Sequence, residues 1–246
     1  MPDFTSIIIL TYNQLHLTRV CLGSINTYTK KPFELIFVDN GSTDGTVDYL
    51  KRIREAKLIL NKENLGFSKG VNQGLELARG EEILLLNNDT IPSHNWLSNL
   101  QKCLYSRPEI GIVGPRSNYA GGRQGGIAGD FSTINQIHSF SKEFNRPNPC
   151  KWHEVELITG FCMLIKKRLI DQLGLFDERF KYGMFEDCDY CKRALNHGYK
   201  LYCAGDTFVY HIGSRSFHQN NLNMAEIFYH NKRLFEEKWC NGSVGK

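Results

Sequence analysis

Short apolar runs alternate along the first 115 residues with stretches in which apolar side chains recur every three or four positions. Five runs have the length and the polar flanks of buried strands: residues 6–10, 35–38, 57–61, 83–86 and 110–114. The stretches between them predict helices, the first over residues 15–28. Strands that alternate with helices in this way predict βαβ units. The expected fold class is therefore α/β, with a mostly parallel sheet and helices on both faces.

The pattern changes after residue 115. Residues 116–152 show little periodicity and are rich in glycine near their start, which predicts a long loop. We expect this loop to be a mobile lid or to contact the acceptor of a reaction, and a passive insertion is the alternative. The other predicted elements are a strand, two helices, two strand-like runs and a final amphipathic helix, over residues 156–165, 169–174, 185–198, 200–203, 207–211 and 225–239.

Composition narrows the possibilities only slightly. With 246 residues, 41% of them hydrophobic and 23% charged, the chain can form one large domain or two small ones. Its net charge of +4 is spread out, which permits an anionic substrate and does not favour nucleic acid. No apolar stretch approaches the ~18 residues of a membrane span, and the first residues lack the features of a signal peptide. We therefore expect a cytoplasmic protein whose cysteines are mostly reduced.

Polar side chains follow the first, second and fourth predicted strands. Asn87, Asn88 and Asp89 come directly after the fourth strand, and Thr11 and Asp39 follow the first two. Because α/β folds bind ligands beyond the carboxyl ends of their strands, we expect these groups to share one site. A carboxylate such as Asp89 suits a hard divalent ion that is also bound by phosphate oxygens. The alternative is a turn in which these residues only cap the next helix.

The motifs of the common nucleotide-binding folds are missing. The sequence has no glycine-rich dinucleotide fingerprint after its first strand, and it has no P-loop motif.

An ionised carboxylate only accepts hydrogen bonds, so Asp39 suits the imide N–H of uracil or thymine. His211, after a late strand, is a candidate second metal ligand, and a structural role is the alternative.

A second acidic centre, formed by Glu186 and Asp187, opens a predicted helix. Adjacent helical residues point about 100° apart, so the two carboxylates cannot face one site equally. One would act as a general base, and the other would bind substrate or cap the helix N-terminus, where negative charge is favoured. The alternative is that both only cap the helix. Asp189 weakens that alternative, because the acidic run is longer than one cap requires.

Together these residues resemble family 2 glycosyltransferases, which are inverting, nucleotide-sugar-dependent enzymes of the GT-A fold. The resemblance runs in order from residue 5 to about residue 215. Five motifs carry it: residues 11–13 (TYN), 39–45 (DNGSTDG), 64–67 with 72–74 (NLGF with NQG), 86–90 (LNNDT) and 185–189 (FEDCD). Each motif alone is weak, and five in register are a strong match.

The resemblance implies a role for each of these residues. Asp187 would be the general base, and Glu186 its neighbour in the acceptor site. Asp89 would bind Mn²⁺ or Mg²⁺ at the position of the DxD motif, and His211 would complete the metal shell. Asp39 would bind the pyrimidine. The remaining nucleotide-sugar-binding residues would be Thr11, Tyr12, Asn13, Asp44, Asn64, Gly66, Asn72, Asn87 and Asn88.

One residue departs from the family pattern, because Asn87 stands where the first aspartate of DxD is expected. Fewer carboxylates weaken metal binding, so the ion would bind mainly as a complex with the nucleotide. The variant is similar to a subgroup that includes rhamnosyl- and galactofuranosyl-type enzymes. That similarity leaves dTDP-sugars open as donors beside UDP-sugars.

The resemblance also implies one GT-A domain over residues 1–246. It would comprise a nucleotide-sugar half (1–115), an acceptor half (116–215) and a C-terminal helix (222–240), and residues 242–246 resemble a linker to a further module. The acceptor stays open between a saccharide, a lipid-linked saccharide and a protein, with peripheral membrane association as one option. The alternatives are an inactive GT-A domain that binds nucleotide or glycan, and a nucleotidyltransferase. The second would normally carry a basic, glycine-rich loop after its first strand.

Overall fold

The structure is a computed structural model that describes residues 4–30, 32–213 and 223–240. The predictions made for the first residues and for the linker-like end at residues 242–246 lie outside these ranges. Within the described residues, no helix is both long and apolar enough to cross a membrane.

A sheet of eight strands forms the centre of the molecule, and a ribbon of two short strands lies apart from it. In chain order the strands are β1 (Thr5–Thr11), β2 (Phe33–Asp39), β3 (Ala56–Leu60), β4 (Glu82–Asn87), β5 (Thr90–Ile91), β6 (Ile110–Arg116), β7 (Trp152–Val155), β8 (Cys162–Lys166), β9 (Lys200–Phe208) and β10 (Tyr210–His211). Across the large sheet the order is β3-β2-β1-β4-β8-β6-β9-β7, and β10 pairs with β5. Strands β1 to β4 are parallel, as predicted, whereas β8 is antiparallel to both of its neighbours. Strands from both halves of the chain therefore share one sheet.

Helices cover both faces of the sheet. They are α1 (Leu15–Tyr28), α2 (Thr46–Leu50), α3 (Phe67–Leu77), α4 (Trp96–Leu104), α5 (Ile134–Phe144), α6 (Lys167–Leu173), α7 (Glu186–Asn196) and α8 (Met224–Trp239). Side chains alternate along β1, so that Ile7 and Ile9 pack with α1 and α4 while Ile8 packs with α3 on the opposite face. Two apolar layers result, which is why the central strands are apolar along their whole length.

The prediction of a long loop after residue 115 is wrong for its second part. Residues 134–144 form helix α5, and the Thr133 hydroxyl caps it by accepting a hydrogen bond from the backbone N–H of Gln136. Phe140 and Phe144 of this helix pack on Phe208 of β9, with ring centroids 5.0 and 5.8 Å apart. The segment expected to be a mobile lid is therefore partly a packed element of the domain.

The apolar run over residues 156–165 is a strand only in its second half, where β8 begins at Cys162. Gly160 and Phe161 precede the strand and lie at the carboxyl edge of the sheet. A glycine inside an apolar run marks a bend or a close backbone approach, and here Gly160 lies just before the start of β8.

Candidate active site

The carboxyl ends of the parallel strands lie side by side, as predicted. Thr11 at the end of β1 is in register with Asp39 at the end of β2, and Leu10 is in register with Asn87 at the end of β4. The polar segments after these three strands therefore meet at one edge of the sheet. Helices begin just beyond two of them, so this edge also collects helix N-termini.

Asp39 organises the loop that follows β2. Its side chain is completely buried, and its two oxygens accept hydrogen bonds from the Thr11 and Ser42 hydroxyls (2.8 and 2.5 Å) and from the backbone N–H groups of Gly41 and Ser42 (3.1 and 2.8 Å). A carboxylate has about four acceptor sites, so the loop itself uses them. The predicted contact between Asp39 and a pyrimidine imide requires one of the hydroxyls to turn away, and it stays a prediction.

Asn13 and Asp44 join the loops that follow β1 and β2. The backbone N–H of Asn13 donates to the Ser42 hydroxyl (2.7 Å), and Asp44 accepts from the backbone N–H of Leu15 (2.9 Å), the first residue of α1. Burial alone would raise the pKa of Asp44, but hydrogen bonds from Thr46 and Leu15 outweigh it and lower the pKa. Asp44 is therefore ionised at neutral pH. Its contacts join the start of α1 to the loop after β2, and Tyr12, which precedes this start, is half-exposed.

A third group of predicted donor residues braces the segment that precedes α7. The Asn64 side chain accepts from the backbone N–H of Gly66 (2.9 Å). Asn72 is buried, and its amide accepts from the backbone N–H of Phe176 and donates to the Phe176 carbonyl, both at 2.9 Å. These contacts differ from the ones that the resemblance implied. The role of the three residues in donor binding stays a prediction, whereas the hydrogen bonds of Asn72 to Phe176 and the close approach of Gly66 to Tyr182 are observed.

Gly66 adopts a conformation (φ 83°, ψ −179°) that is open to essentially no other residue, and an added Cβ would lie 2.8 Å from the backbone nitrogen of Tyr182. We expect Gly66→Ala to lower the free energy of unfolding by about 2–4 kcal/mol, from backbone strain and from this contact. Gly122→Ala is the matched control, because Gly122 also has a positive φ (58°) but no atom within 4 Å of the added Cβ. Urea unfolding of both variants measures the difference, and equal losses would contradict the role of the Tyr182 contact.

Asp89 and His211 form a candidate metal site beyond β4. The pairing of β5 with β10 places His211 opposite Thr90, and the backbone N–H of Ile212 donates to the Asp89 carbonyl (3.0 Å). As a result, Asp89 Oδ1 lies 3.1 Å from His211 Nε2. Asp89 Oδ1 is buried and has no hydrogen-bond partner among the described residues. A buried carboxylate oxygen in that position requires a cation or a proton.

The orientation of the His211 ring is compatible with a metal ion held between Nε2 and the Asp89 carboxylate. Its Nδ1 is 2.8 Å from the Tyr119 carbonyl, which can only accept, so the proton of the neutral ring lies on Nδ1. The ring also stacks on Phe161, with centroids 4.8 Å apart. The lone pair of Nε2 then faces the Asp89 carboxylate. Neighbouring octahedral ligands that bind one ion at about 2.1 Å are about 3 Å apart, so the observed separation fits Mn²⁺ or Mg²⁺.

Asp89 and His211 would supply only part of a metal shell. In the described ranges, no group of three or more His, Cys, Asp and Glu side chains is placed to hold an ion. Asn87 lies near the pair, with its amide nitrogen 3.5 Å from His211 Nε2, whereas Asn88 is buried and donates to the Thr18 hydroxyl of α1 (3.0 Å). Two protein ligands leave room for diphosphate oxygens and water, which is the usual mode of Mg²⁺ binding beside a nucleotide.

Asp187 and Glu186 form the second acidic centre, at the start of α7. Asp187 accepts hydrogen bonds from the backbone N–H groups of Gly160 (3.1 Å) and Cys188 (2.8 Å). Glu186 is buried, and its Oε2 has no partner within the part of the chain that is described. Burial raises the pKa of Asp187 and, together with the nearby charge of Asp187, raises the pKa of Glu186 well above its ordinary value. The hydrogen bonds to Asp187 favour its ionised form, so Asp187 ionises first and Glu186 keeps its proton.

Gly160 and Phe161 connect the two centres. Gly160 donates to Asp187, Phe161 accepts from the backbone N–H of Asn87 (2.8 Å), and the Phe161 ring stacks on His211. The base candidate and the metal candidate therefore share one wall of two residues. Sequence reasoning missed both residues, and the only signal was a glycine that interrupts an apolar run.

Comparison with known proteins identifies the sequence family of the chain and proteins that share its fold. The sequence family described as Glycosyl transferase family 2 matches residues 6–174. An N-acetylglucosaminyl-diphospho-decaprenol L-rhamnosyltransferase of Mycobacterium tuberculosis is 28% identical over 220 residues, which cover 77% of this chain and 69% of that protein. The uncharacterised protein y4gI of Sinorhizobium fredii is 29% identical over 86% of this chain, but the chain spans only 24% of its length.

Solved structures share the architecture. A mannosyltransferase from Pyrobaculum calidifontis, in complex with GDP-Man and Mn²⁺, superposes with a TM-score of 0.65 and 22% identity over 89% of this chain and 59% of its own. TarS of S. aureus, in complex with UDP-GlcNAc, superposes with a TM-score of 0.68 and 18% identity over 98% of this chain and 68% of its own. These likenesses confirm the predicted GT-A fold.

Proposed function

The chain belongs to glycosyl transferase family 2, and from this premise we propose that it is an inverting, metal-dependent glycosyltransferase that uses a UDP- or dTDP-sugar. The proposed acceptor is a hydroxyl group of a saccharide, a lipid-linked saccharide or a protein. One observation carries the proposal: the adjacent residues Gly160 and Phe161 contact Asp187 and His211 respectively, so the Asp89–His211 pair and Asp187 border the same two-residue segment. The ligands of two structural neighbours support a nucleotide-sugar donor and a metal ion: the mannosyltransferase holds GDP-Man with Mn²⁺, and TarS holds UDP-GlcNAc.

The proposed reaction is a single displacement at the anomeric carbon. Asp187 accepts the proton of the acceptor hydroxyl while that oxygen attacks, and the nucleoside diphosphate leaves from the opposite face, so the anomeric configuration inverts. The loops after β1 and β2, joined by Asn13 and Asp44, hold the nucleoside. Asp89 and His211 would hold Mn²⁺ or Mg²⁺, which when bound neutralises the charge that develops on the diphosphate. The hydrogen bond from the Gly160 backbone N–H favours the ionised form of Asp187 and holds its carboxylate beside Gly160 and Phe161.

The order in which the acidic pair ionises predicts the pH dependence. Because burial raises the pKa of Asp187, turnover should rise with pH through a midpoint above the ordinary pKa of an aspartate, 3.8. Burial and the charge of Asp187 raise the pKa of Glu186 well above its ordinary value, so Glu186→Gln should leave the midpoint of Asp187 in place. The logarithm of kcat measured against pH for both proteins checks this. A midpoint that falls in Glu186→Gln to the ordinary aspartate value would show that Glu186 ionises first.

The proposal is tested with a panel of UDP- and dTDP-sugars in the presence of Mn²⁺. Release of nucleoside diphosphate with water or a glycan as the acceptor identifies the donor, and nuclear magnetic resonance of a transferred product gives its anomeric configuration. We expect turnover of at least one donor, with inversion. An inactive domain that only binds nucleotide or glycan, which is the rival interpretation, would bind ligand and release nothing. Retention of configuration would contradict the single displacement.

We also propose that the protein acts in the cytoplasm, and at the inner face of the membrane if its acceptor is lipid-linked. The scattered cysteines support a reducing compartment, because six of the eight are at least partly buried as free thiols. Cell fractionation tests this directly. Recovery of the protein from an extracytoplasmic fraction would contradict the proposal.

A further inference from the structure

Helix α8 carries a polar residue where an apolar one is expected. Asn231 is the one fully buried residue of the helix, at 1% exposure, while aromatic side chains such as Phe228 and Tyr229 are exposed. Burying an amide lowers stability unless hydrogen bonds compensate. The position of Asn231 therefore requires an explanation in terms of its partners.

The partners of Asn231 are three backbone carbonyls of one short segment. Its amide nitrogen is 3.1 Å from the Lys181 carbonyl, 2.9 Å from that of Gly183 and 3.1 Å from that of Met184. Its amide oxygen has no hydrogen-bond partner among the described residues. The side chain thus serves only as a donor, and the reversed orientation would bring its oxygen against three other oxygens.

The segment that Asn231 holds is strained. Tyr182, Gly183, Met184 and Phe185 all have positive φ, at 62°, 100°, 73° and 73°. Left-handed conformations are unfavourable for residues with a Cβ, and a run of them persists only where the surroundings impose it. Asn231 bonds to the carbonyls within this run, so it is placed to impose the conformation.

The strained run leads directly into the acidic centre. Phe185 is the residue before α7. Its carbonyl accepts a hydrogen bond from the backbone N–H of Asp189, in the first turn of the helix. Glu186 and Asp187 are the first two residues of α7. Any change in the backbone at Phe185 therefore rotates or shifts the helix end that presents Asp187.

Other contacts of α8 reach Phe185 of the strained run, whose ring centroid lies 5.4 and 5.6 Å from those of Phe228 and Phe235, and fix α8 against α7. Trp239 donates to the buried Asp189 carboxylate (2.9 Å), and Lys238 pairs with Asp189 and Asp177 at 2.7 and 2.8 Å. The C-terminal end of α8 is thereby anchored independently of Asn231. Asn231 can then act on the segment from a fixed position.

We infer that Asn231 is a positioning residue for the reaction: through the backbone carbonyls of Lys181, Gly183 and Met184 it holds residues 182–185 in the left-handed conformation that positions Asp187. The effect on turnover rests on the proposed function, because it requires Asp187 to be the base. The effect on the backbone does not. Two measurements on the whole chain therefore test the inference separately.

The test compares Asn231→Ala with Asn99→Ala. Asn99 is a matched control, since it is also a buried asparagine whose amide nitrogen donates to backbone carbonyls, those of Asn145 and Asp206, and whose oxygen has no partner in the described chain. Asn231→Ala should raise hydrogen exchange of the backbone amides at residues 181–190 by about tenfold. It should lower kcat by about 100-fold, as a misplaced group does, and leave the UDP dissociation constant unchanged. Asn99→Ala should change neither the hydrogen exchange at residues 181–190 nor kcat.

Asn231→Ser keeps one donor and should give intermediate values, which maintains the test if the alanine variant does not fold. Unchanged exchange at residues 181–190, or an equal rise in Asn99→Ala, would overturn the inference. So would a kcat equal to that of Asn99→Ala. If the wild type binds no nucleotide and releases none, the proposed function fails, and the exchange measurement still decides whether Asn231 holds the segment.

Discussion

Replacing Asp187 with Asn should lower the turnover number by about 10²–10⁴-fold, which is the contribution of a well-placed general base. The amide cannot take up the proton of an acceptor hydroxyl. Its oxygen can still accept from the Gly160 or the Cys188 backbone N–H, so the helix end should keep its place. The nucleoside is proposed to lie against the loops after β1 and β2, away from Asp187, so the dissociation constant of UDP should not change. Steady-state kinetics with the donor identified in the panel, together with calorimetry, measure both quantities.

Glu186→Gln is the matched control for Asp187→Asn, since both remove one carboxylate from the same pair. Because burial and the charge of Asp187 raise the pKa of Glu186 well above its ordinary value, its replacement by Gln should lower turnover by less than about tenfold. If Asp187→Asn keeps substantial turnover while Glu186→Gln loses it, Glu186 is the base. Comparable small losses in both variants would show that neither carboxylate accepts the proton.

Replacing Asp89 with Ala should remove the dependence of turnover on Mn²⁺ and lower turnover by about 100-fold or more. Loss of a partner that only orients a metal ligand costs about 10–100-fold, and Asp89 is proposed as a ligand itself. His211 alone, held by the Tyr119 carbonyl, would bind the ion weakly. Initial rates measured across a range of Mn²⁺ concentrations, with Mn²⁺ binding followed by electron paramagnetic resonance, check the expected loss.

Asp48→Ala controls for the general effect of removing a negative charge, because Asp48 is exposed on α2 and lies outside the site. It should leave the Mn²⁺ dependence unchanged. An Asp89→Ala protein that still requires Mn²⁺ at wild-type concentrations would contradict the metal assignment and would leave Asp89 as a partner of a protonated His211.

Much of the donor half follows from local sequence patterns. The strands that became β1, β2 and β4 are apolar on both faces, and helix α1 was predicted with its observed bounds, because periodicity reports burial directly. Helix α5 was missed although Ile137, Phe140 and Phe144 recur at helical spacing, because the glycine-rich stretch before it favoured a loop. Its stability comes from aromatic packing on β9, which lies more than sixty residues away in the chain.

In the candidate site, local sequence patterns predicted which segments meet but not the hydrogen bonds of their side chains. Motif spacing predicted that the segments carrying Asp39, Asn87 and Asp89 would share an edge of the sheet, because that follows from parallel pairing alone. It could not predict how each side chain uses its hydrogen bonds. Asp39 and Asn72 are buried and bond mainly to backbone groups of neighbouring loops, and these partners follow from how the loops pack. The hydrogen bond between Gly160 and Asp187 and the contacts of Asn231 join residues far apart in the chain, so no local sequence pattern predicts these contacts.

The measurement that tests the account most directly is calorimetric titration of the wild-type protein with UDP and with dTDP, each with and without Mn²⁺. The account predicts that a pyrimidine nucleoside diphosphate binds, and that Mn²⁺ strengthens its binding by about tenfold or more, because Asp89 and His211 bind the ion together with the diphosphate. The preferred nucleotide then identifies the class of donor. Absence of binding, or an affinity that is the same with and without Mn²⁺, would contradict the proposed donor and metal site.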